Sequence, residues 1–223
     1  MNLIDTHCHI YYDKYSDDID QVINRSIEHN ISKIICVGVD FKSSKKSIDL
    51  AEKYDMVYAT AGYHPHDSKD ARDDYLNDLR ILAKNPKVIA IGEMGLDYFR
   101  NLSSVNQQYK VFHSQLLLAK KLDVPAVIHN RNADEDLLSI VKEISPRKAV
   151  IHCFSSDVAV AKRAIKAGCH LSFTGNITFG NNHTESVLRV IPIEKINLSN
   201  DIFFEFSIEY FRFDADNFPH PSI

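Results

Sequence analysis

At roughly 100–200 residues per domain, the 223 residues of this chain make one large domain or two small ones; a (β/α)8 barrel, typically about 250 residues with a floor of about 200, fits only in a short form. With 44% hydrophobic and 25% charged residues, the composition is that of a soluble globular protein and excludes a disordered chain. A formal charge of −4 excludes a strongly basic nucleic-acid coat but leaves room for a local basic site.

Short apolar runs alternate with helix-period segments along the chain. The runs are Leu3-Ile4, 34–39, 57–62, 88–92, 126–128, 149–151, 171–173 and a weaker one at 195–198. Continuous β-branched runs of this kind suit parallel strands buried on both faces. Ser16 is expected to cap the first helix, with Asp17 and Asp18 in its opening turn. Further helices are expected near 43–54, 70–84, 103–122, 132–144, 157–167 and 184–190. The clearest is 103–122, where Val105, Tyr109, Phe112, Leu116 and Ala119 fall on one face. Repeated βαβ units predict an α/β domain. A doubly wound open sheet is the alternative, although no G-x-G-x-x-G follows the first strand.

Asp5, His7 and His9 interrupt any signal-peptide pattern, and no apolar stretch approaches the ~18–20 residues of a membrane span. The four cysteines form no C-x-x-C pair and read as free thiols. A cytoplasmic protein that does not engage a membrane is expected.

The chemistry lies where the apolar runs end. His7 and His9 close the first run, and their i, i+2 spacing on a strand turns both to one face. Glu93 follows the fourth run, His129 ends the fifth, His152 ends the sixth and Asp201 follows the eighth. In a closed parallel barrel these ends converge on one face, where barrel enzymes place their sites. Four histidines and two carboxylates meeting there suit one or two divalent metals. His64-Pro65-His66 follows the third run and reads as a substrate contact or as a structural turn. Arg131 is placed to hold an anion or to pair with Asp134 or Glu135. Asp97, Tyr98, Phe99 and Arg100 read as a polar-aromatic loop over the same face, its aromatics available to stack on bases or to cover the rim. His29, His113, His170, His183 and His220 fall outside the pattern.

Taken in order, the motifs DTHCHI (5–10), GYHPHD (62–67), IGEMGLDYF (91–99), VIHNRNA (127–133), VIHCFS (150–155) and FTGNITF (173–179) resemble those of TatD-type metal-dependent deoxyribonucleases, a branch of the amidohydrolase-like barrels. The resemblance runs from about residue 2 to about residue 201. It implies a TIM-like barrel over 1–201 with a two-metal hydrolytic site that cleaves DNA phosphodiester bonds, often from an end. By this resemblance His7, His9 and Asp201 hold one metal, His129 and His152 hold the other, and Glu93 bridges them. Asp201 also accepts the proton of the hydrolytic water, while His64, His66 and Arg131 stabilise charge on the phosphate. The donor set suits zinc, nickel, iron or manganese better than calcium, and magnesium would need water and phosphate to complete its oxygen shell. A monomer engaging DNA weakly and transiently is expected.

Two features depart from the family pattern. Residues 202–223, beginning Ile202-Phe203-Phe204, replace the family's basic, proline-containing loop and closing helices with an atypical tail. Asn132 stands where the family often carries an acidic residue. The alternatives are a small-molecule metallohydrolase on the same barrel and an inactive metal-binding protein whose altered end abolishes catalysis.

Overall fold

The computed structural model describes residues 3–175, 177 and 182–198. Eight parallel strands form one sheet: β1 (Leu3–Cys8), β2 (Ile31–Val37), β3 (Val57–Ala61), β4 (Val88–Asp97), β5 (Ala126–Arg131), β6 (Ala149–His152), β7 (Cys169–Phe173) and β8 (Ile196–Leu198). Their order in the sheet is their order in the chain, and every neighbouring pair is parallel. Because the order never reverses there is no switch point, so the doubly wound alternative is excluded. The sheet curls until β8 approaches β1, giving a TIM-like architecture. Asp201 and the tail 202–223 lie outside the described residues.

The helices are α1 (Ile19–Glu28), α2 (Phe41–Lys53), α3 (Tyr75–Leu82), α4 (Val105–Leu122), α5 (Asp134–Ile144), α6 (Val158–Lys166) and α7 (Asn182–Leu188). None of the described helices is long and apolar enough to cross a membrane. Ser16 does not cap α1. Its hydroxyl donates to the Asp13 carbonyl, closing a 3-10 turn at Asp13–Tyr15, and α1 starts only after Asp18. A serine bonded back to its preceding turn cannot also serve the helix that follows.

Asp40 does cap α2. Its carboxylate accepts the Ser43 N–H at 2.6 Å, while Ser43 Oγ accepts the Asp40 N–H at 2.9 Å. Such a reciprocal cap satisfies two otherwise orphaned donors. Asp40→Ala is expected to lower stability by about 1 kcal/mol in chemical denaturation; no change would mean that water replaces the cap.

The core fills the space between sheet and helices with residues such as Phe112, Leu116, Ile128, Leu137, Ile140 and Phe173, all almost fully buried. In α4 the expected apolar face is rotated. Phe112, Leu116 and Ala119 are buried, but Val105 and Tyr109 at its start are exposed, and Gln108 and Gln115 take buried positions instead. These glutamines have specific backbone work. Gln115 Oε1 accepts the Tyr63 N–H at 2.8 Å and its Nε2 donates to the Tyr63 carbonyl at 2.9 Å. Gln108 does the same for Asp97, at 2.8 and 3.2 Å, and also donates to the Ser103 carbonyl. Seven residues apart on one helix face, they clamp the chain just before His64 and at the end of β4.

Gln108→Leu would leave the Asp97 N–H unpaired in a dry interior, and its carbonyl with only the long bond from the Asn101 N–H at 3.4 Å. The expected loss is about 1–3 kcal/mol, measurable by denaturation, together with weaker metal binding because Asp97 shifts. A loss of stability with unchanged metal affinity would separate the clamp from the site.

Candidate metal centre

Strands β1, β4 and β5 run past the apolar ends that mark them in the sequence. β4 extends to Asp97 and β5 to Arg131, so Asp97 and His129 are ladder residues, while Glu93 sits within β4 at the register shift between Ile91 and Met94. Asp97 is therefore a buried strand residue and not part of the exposed loop expected from the sequence. Two close approaches set the register here. Gly95 pairs with His129 across the ladder at φ +144°, and an added Cβ would meet the His129 backbone. At Gly92, φ +140°, an added Cβ would sit 2.5 Å from the Val127 carbonyl oxygen. Only glycine combines these backbone angles with such proximity.

The sequence candidates fall into two sets sharing Glu93. In the first, His7, His9 and Glu93 point ligand atoms at one another. His7 Nε2 lies 3.2 Å from His9 Nε2 and 3.3 Å from Glu93 Oε2. His9 Nδ1 sits 2.9 Å from the Val37 carbonyl, an acceptor, so Nδ1 donates there and Nε2 is the nitrogen turned toward His7. His7 Nδ1 is buried with no hydrogen-bond partner. Burial pushes His7 down to about 4, reinforced by His152, so the ring is neutral near pH 7. A neutral His7 ring, His9 Nε2 and a carboxylate crowded on one point fit a cation between them.

In the second set, Glu93 Oε1 lies 3.2 Å from His129 Nδ1 and 3.7 Å from His64 Nε2. Burial would raise the Glu93 pKa, but His7, His64 and His129 outweigh it and hold the carboxyl well below its ordinary value. His129 Nε2 faces Asp97 Oδ2 at 3.3 Å. Burial acts to lower the His129 pKa, but its bonds to Asp97 and Glu93 prevail and raise it to about 9. His129 Nδ1 and Glu93 could hold a cation in place of that proton, with Asp97 placed to keep the other ring nitrogen protonated.

His64 differs from the other rings. Its Nδ1 accepts the His66 N–H at 3.2 Å, and burial pushes its pKa down to about 3. The neutral ring therefore carries its proton on Nε2, which aims a donor and not a lone pair at the site. His66 Nε2 bonds Asp97 Oδ2 at 2.7 Å. Burial would raise the Asp97 pKa, but the bonds from His129, the Arg100 N–H and His66 hold it below the usual value. Asp97 thus orients two histidines at once. Sequence reading had missed this role, and its one signal is the even spacing from Glu93 that continues the inward face of β4.

His152 pairs with His129 in the β5–β6 register and stacks on His7, with ring centroids 3.5 Å apart and planes 10° from parallel. It lies beside the first set; it is not among the residues grouped with Glu93 and His129. Arg131 makes neither expected ion pair. Asp134 accepts from Asn130 and Ser156, Glu135 pairs with Arg163, and the Arg131 guanidinium lies 4.0 Å from the centre of the Phe99 ring.

The chain is similar to known proteins over almost all of the described residues. It is 36% identical over 202 residues to the "uncharacterized metal-dependent hydrolase YabD" of Bacillus subtilis, covering 89% of this chain and 79% of that protein. It is 33% identical over 193 residues to the "3'-5' ssDNA/RNA exonuclease TatD" of Erwinia tasmaniensis, covering 84% of this chain and 74% of the relative. Among solved structures it resembles YjjV, a TatD homolog of Escherichia coli, with a TM-score of 0.84 and 29% identity over 89% of this chain and 78% of that one. A hydrolase TatD family protein from Entamoeba histolytica superposes with a TM-score of 0.82 and 27% identity, over 90% and 73% of the two chains. The family model for TatD related DNase matches residues 4–201, and with two His/Glu clusters that share Glu93 and could hold metal, the chain belongs to that family of metal-dependent hydrolases.

Proposed function

We propose that this TatD-family hydrolase cleaves phosphodiester bonds of single-stranded DNA from an end. The observation that carries the reading is Glu93, a buried carboxylate shared by two groups of nitrogen and oxygen donors at the carboxyl ends of the strands. The relatives named as 3'-5' ssDNA/RNA exonucleases support the substrate class.

In this reading His7, His9 and Asp201 would hold one divalent ion, His129 and His152 would hold a second, and Glu93 would serve both. The donor set suits zinc, manganese, nickel, iron or magnesium. Such a pair supplies Lewis acidity toward the phosphate and a hydrolytic water that is available near neutral pH. The other roles belong to side chains of the chain itself. Asp201 accepts a proton from that water. His64 donates from Nε2 to a phosphate oxygen, His66 is held at the same mouth by Asp97, and Arg131 neutralises phosphate charge. The protein acts as a monomer on a weakly and transiently held strand end.

The test is release of nucleotides from an end-labelled single-stranded oligonucleotide, after chelation and with each metal restored in turn. Activity should vanish on chelation and return with metal. Equal cutting by wild type and Glu93→Ala would refute the mechanism, and turnover of small esters or amides without any cutting of DNA would refute the substrate class. With a net charge of −4 and few cations at the mouth, affinity is expected to fall only gently between 50 and 200 mM salt, by about tenfold or less. A fall of about 10³-fold or more would reveal many phosphate contacts and contradict the weak, end-directed hold.

A further inference from the structure

Tyr98 and Phe99 are adjacent aromatics at the mouth, and the structure treats them differently. The Tyr98 hydroxyl donates to Asp136 Oδ2 at 2.7 Å, which ties its ring to α5. Phe99 is 60% exposed. Its backbone is nonetheless fixed to the metal centre. Phe99 N–H and Arg100 N–H both donate to Asp97 Oδ1, at 3.0 and 2.8 Å, while Asp97 Oδ2 faces His66 and His129. Any movement of this segment therefore pulls on the carboxylate that orients the candidate site.

One exposed phenylalanine means little. What gives this one meaning is Arg131, whose guanidinium lies over the ring at 4.0 Å. Arg131 follows His129 by two positions on β5, so both side chains leave the strand on the same face. Among the described residues it has no carboxylate partner, because Asp134 and Glu135 are engaged elsewhere. A planar cation without a carboxylate partner among the described residues, lying over an open aromatic ring beside a candidate metal centre, offers two things together: donors for a phosphate and a π-surface for a base. A nucleotide unit carries both complementary groups. A purely apolar protein segment would leave the cation unsatisfied.

We infer that Phe99, backed by Arg131, is a positioning residue that stacks a nucleobase of the strand whose phosphate lies at the metal centre. The inference rests on the nucleic-acid reading above. It adds that the enzyme grips a base face as well as the backbone, without reading sequence, since every base presents a π-face.

The chain contains no tryptophan, so Phe99→Trp introduces a single fluorescent reporter at the proposed contact. Its emission should be quenched by a phosphorothioate oligothymidylate that resists cleavage, and left unchanged by an abasic oligomer of equal length and charge. Phe99→Ala should raise KM for a cleavable oligonucleotide about tenfold, the size of one base–aromatic stack, with kcat within about twofold. Phe99→Trp should restore KM towards wild type. On a substrate whose terminal residue is abasic, wild type and Phe99→Ala should act equally. An indole that the base-bearing oligomer does not quench, or a Phe99→Ala defect of the same size on the abasic substrate, would overturn the inference while leaving the nuclease reading intact. A wild-type protein that releases no nucleotide from any oligonucleotide would overturn both.

Discussion

Glu93→Gln is expected to lower hydrolysis by about 10³-fold or more, because one carboxylate serves both donor sets. The amide keeps the shape and the burial but loses the charge that His7, His64 and His129 surround. The variant should therefore fold. The histidines around Glu93 outweigh its desolvation, so exchanging the anion for a neutral amide leaves His129, raised to about 9, without that partner, and the metal-free protein should melt somewhat lower than wild type. The discriminating measurement is the thermal shift on adding metal. A ligand that binds only the folded state adds about 2.7 kcal/mol at a hundred times its Kd, and wild type should show an increase of this kind. Glu93→Gln should lose most of it. If the variant keeps both the metal-induced shift and the activity, Glu93 is not the shared ligand.

Gly95→Ala should be the most damaging single-atom change in the described barrel. The new Cβ would meet the carbonyl oxygen, carbon and nitrogen of His129, all backbone of a central strand that cannot step aside, at φ +144°. Backbone strain of about 1–3 kcal/mol and overpacking of similar size combine to about 3 kcal/mol. For a domain of this size that is roughly a 6–12 °C fall in Tm. Metal affinity should fall as well, since the Gly95–His129 register sets where His129 stands relative to Glu93. Gly168→Ala is the control. Its φ is also positive, at +93°, but an added Cβ meets nothing within 4 Å, so it should cost only the strain, about 1 kcal/mol. Equal losses from the two substitutions would show that crowding against β5 contributes nothing.

The asymmetry between these residues shows what kind of information a sequence carries. The strand-end positions of His7, His9, Glu93, His129 and His152 were legible because each terminates or follows an apolar run, and parallel strands in chain order bring such ends together. The same periodicity placed nearly every strand and most helices, since burying both faces of a sheet demands continuous apolar runs. It failed where one residue had two local options. Ser16 bonds backwards into a 3-10 turn, and nothing in its own chemistry distinguishes that from a helix cap. Val105 and Tyr109 continue the apolar stripe of α4 in the sequence but emerge beyond the edge of the core in space.

What the chain determined by itself, then, is the βαβ alternation and the chemical identity of the strand ends. Both follow from short-range rules: period 2 on strands, period 3.6 on helices and the cost of burying an unpaired polar group. Tertiary structure decided the rest. It turned Gln108 and Gln115 from ordinary polar letters into buried clamps on the backbone of Asp97 and Tyr63. It made Asp97 the acceptor that orients His66 and His129, and it put the His64 proton on Nε2. It also left Arg131 on the ring of Phe99 instead of on a carboxylate. Each of these depends on which atoms meet across elements distant in the chain. That is set by strand register and helix rotation, and a linear pattern does not encode either one.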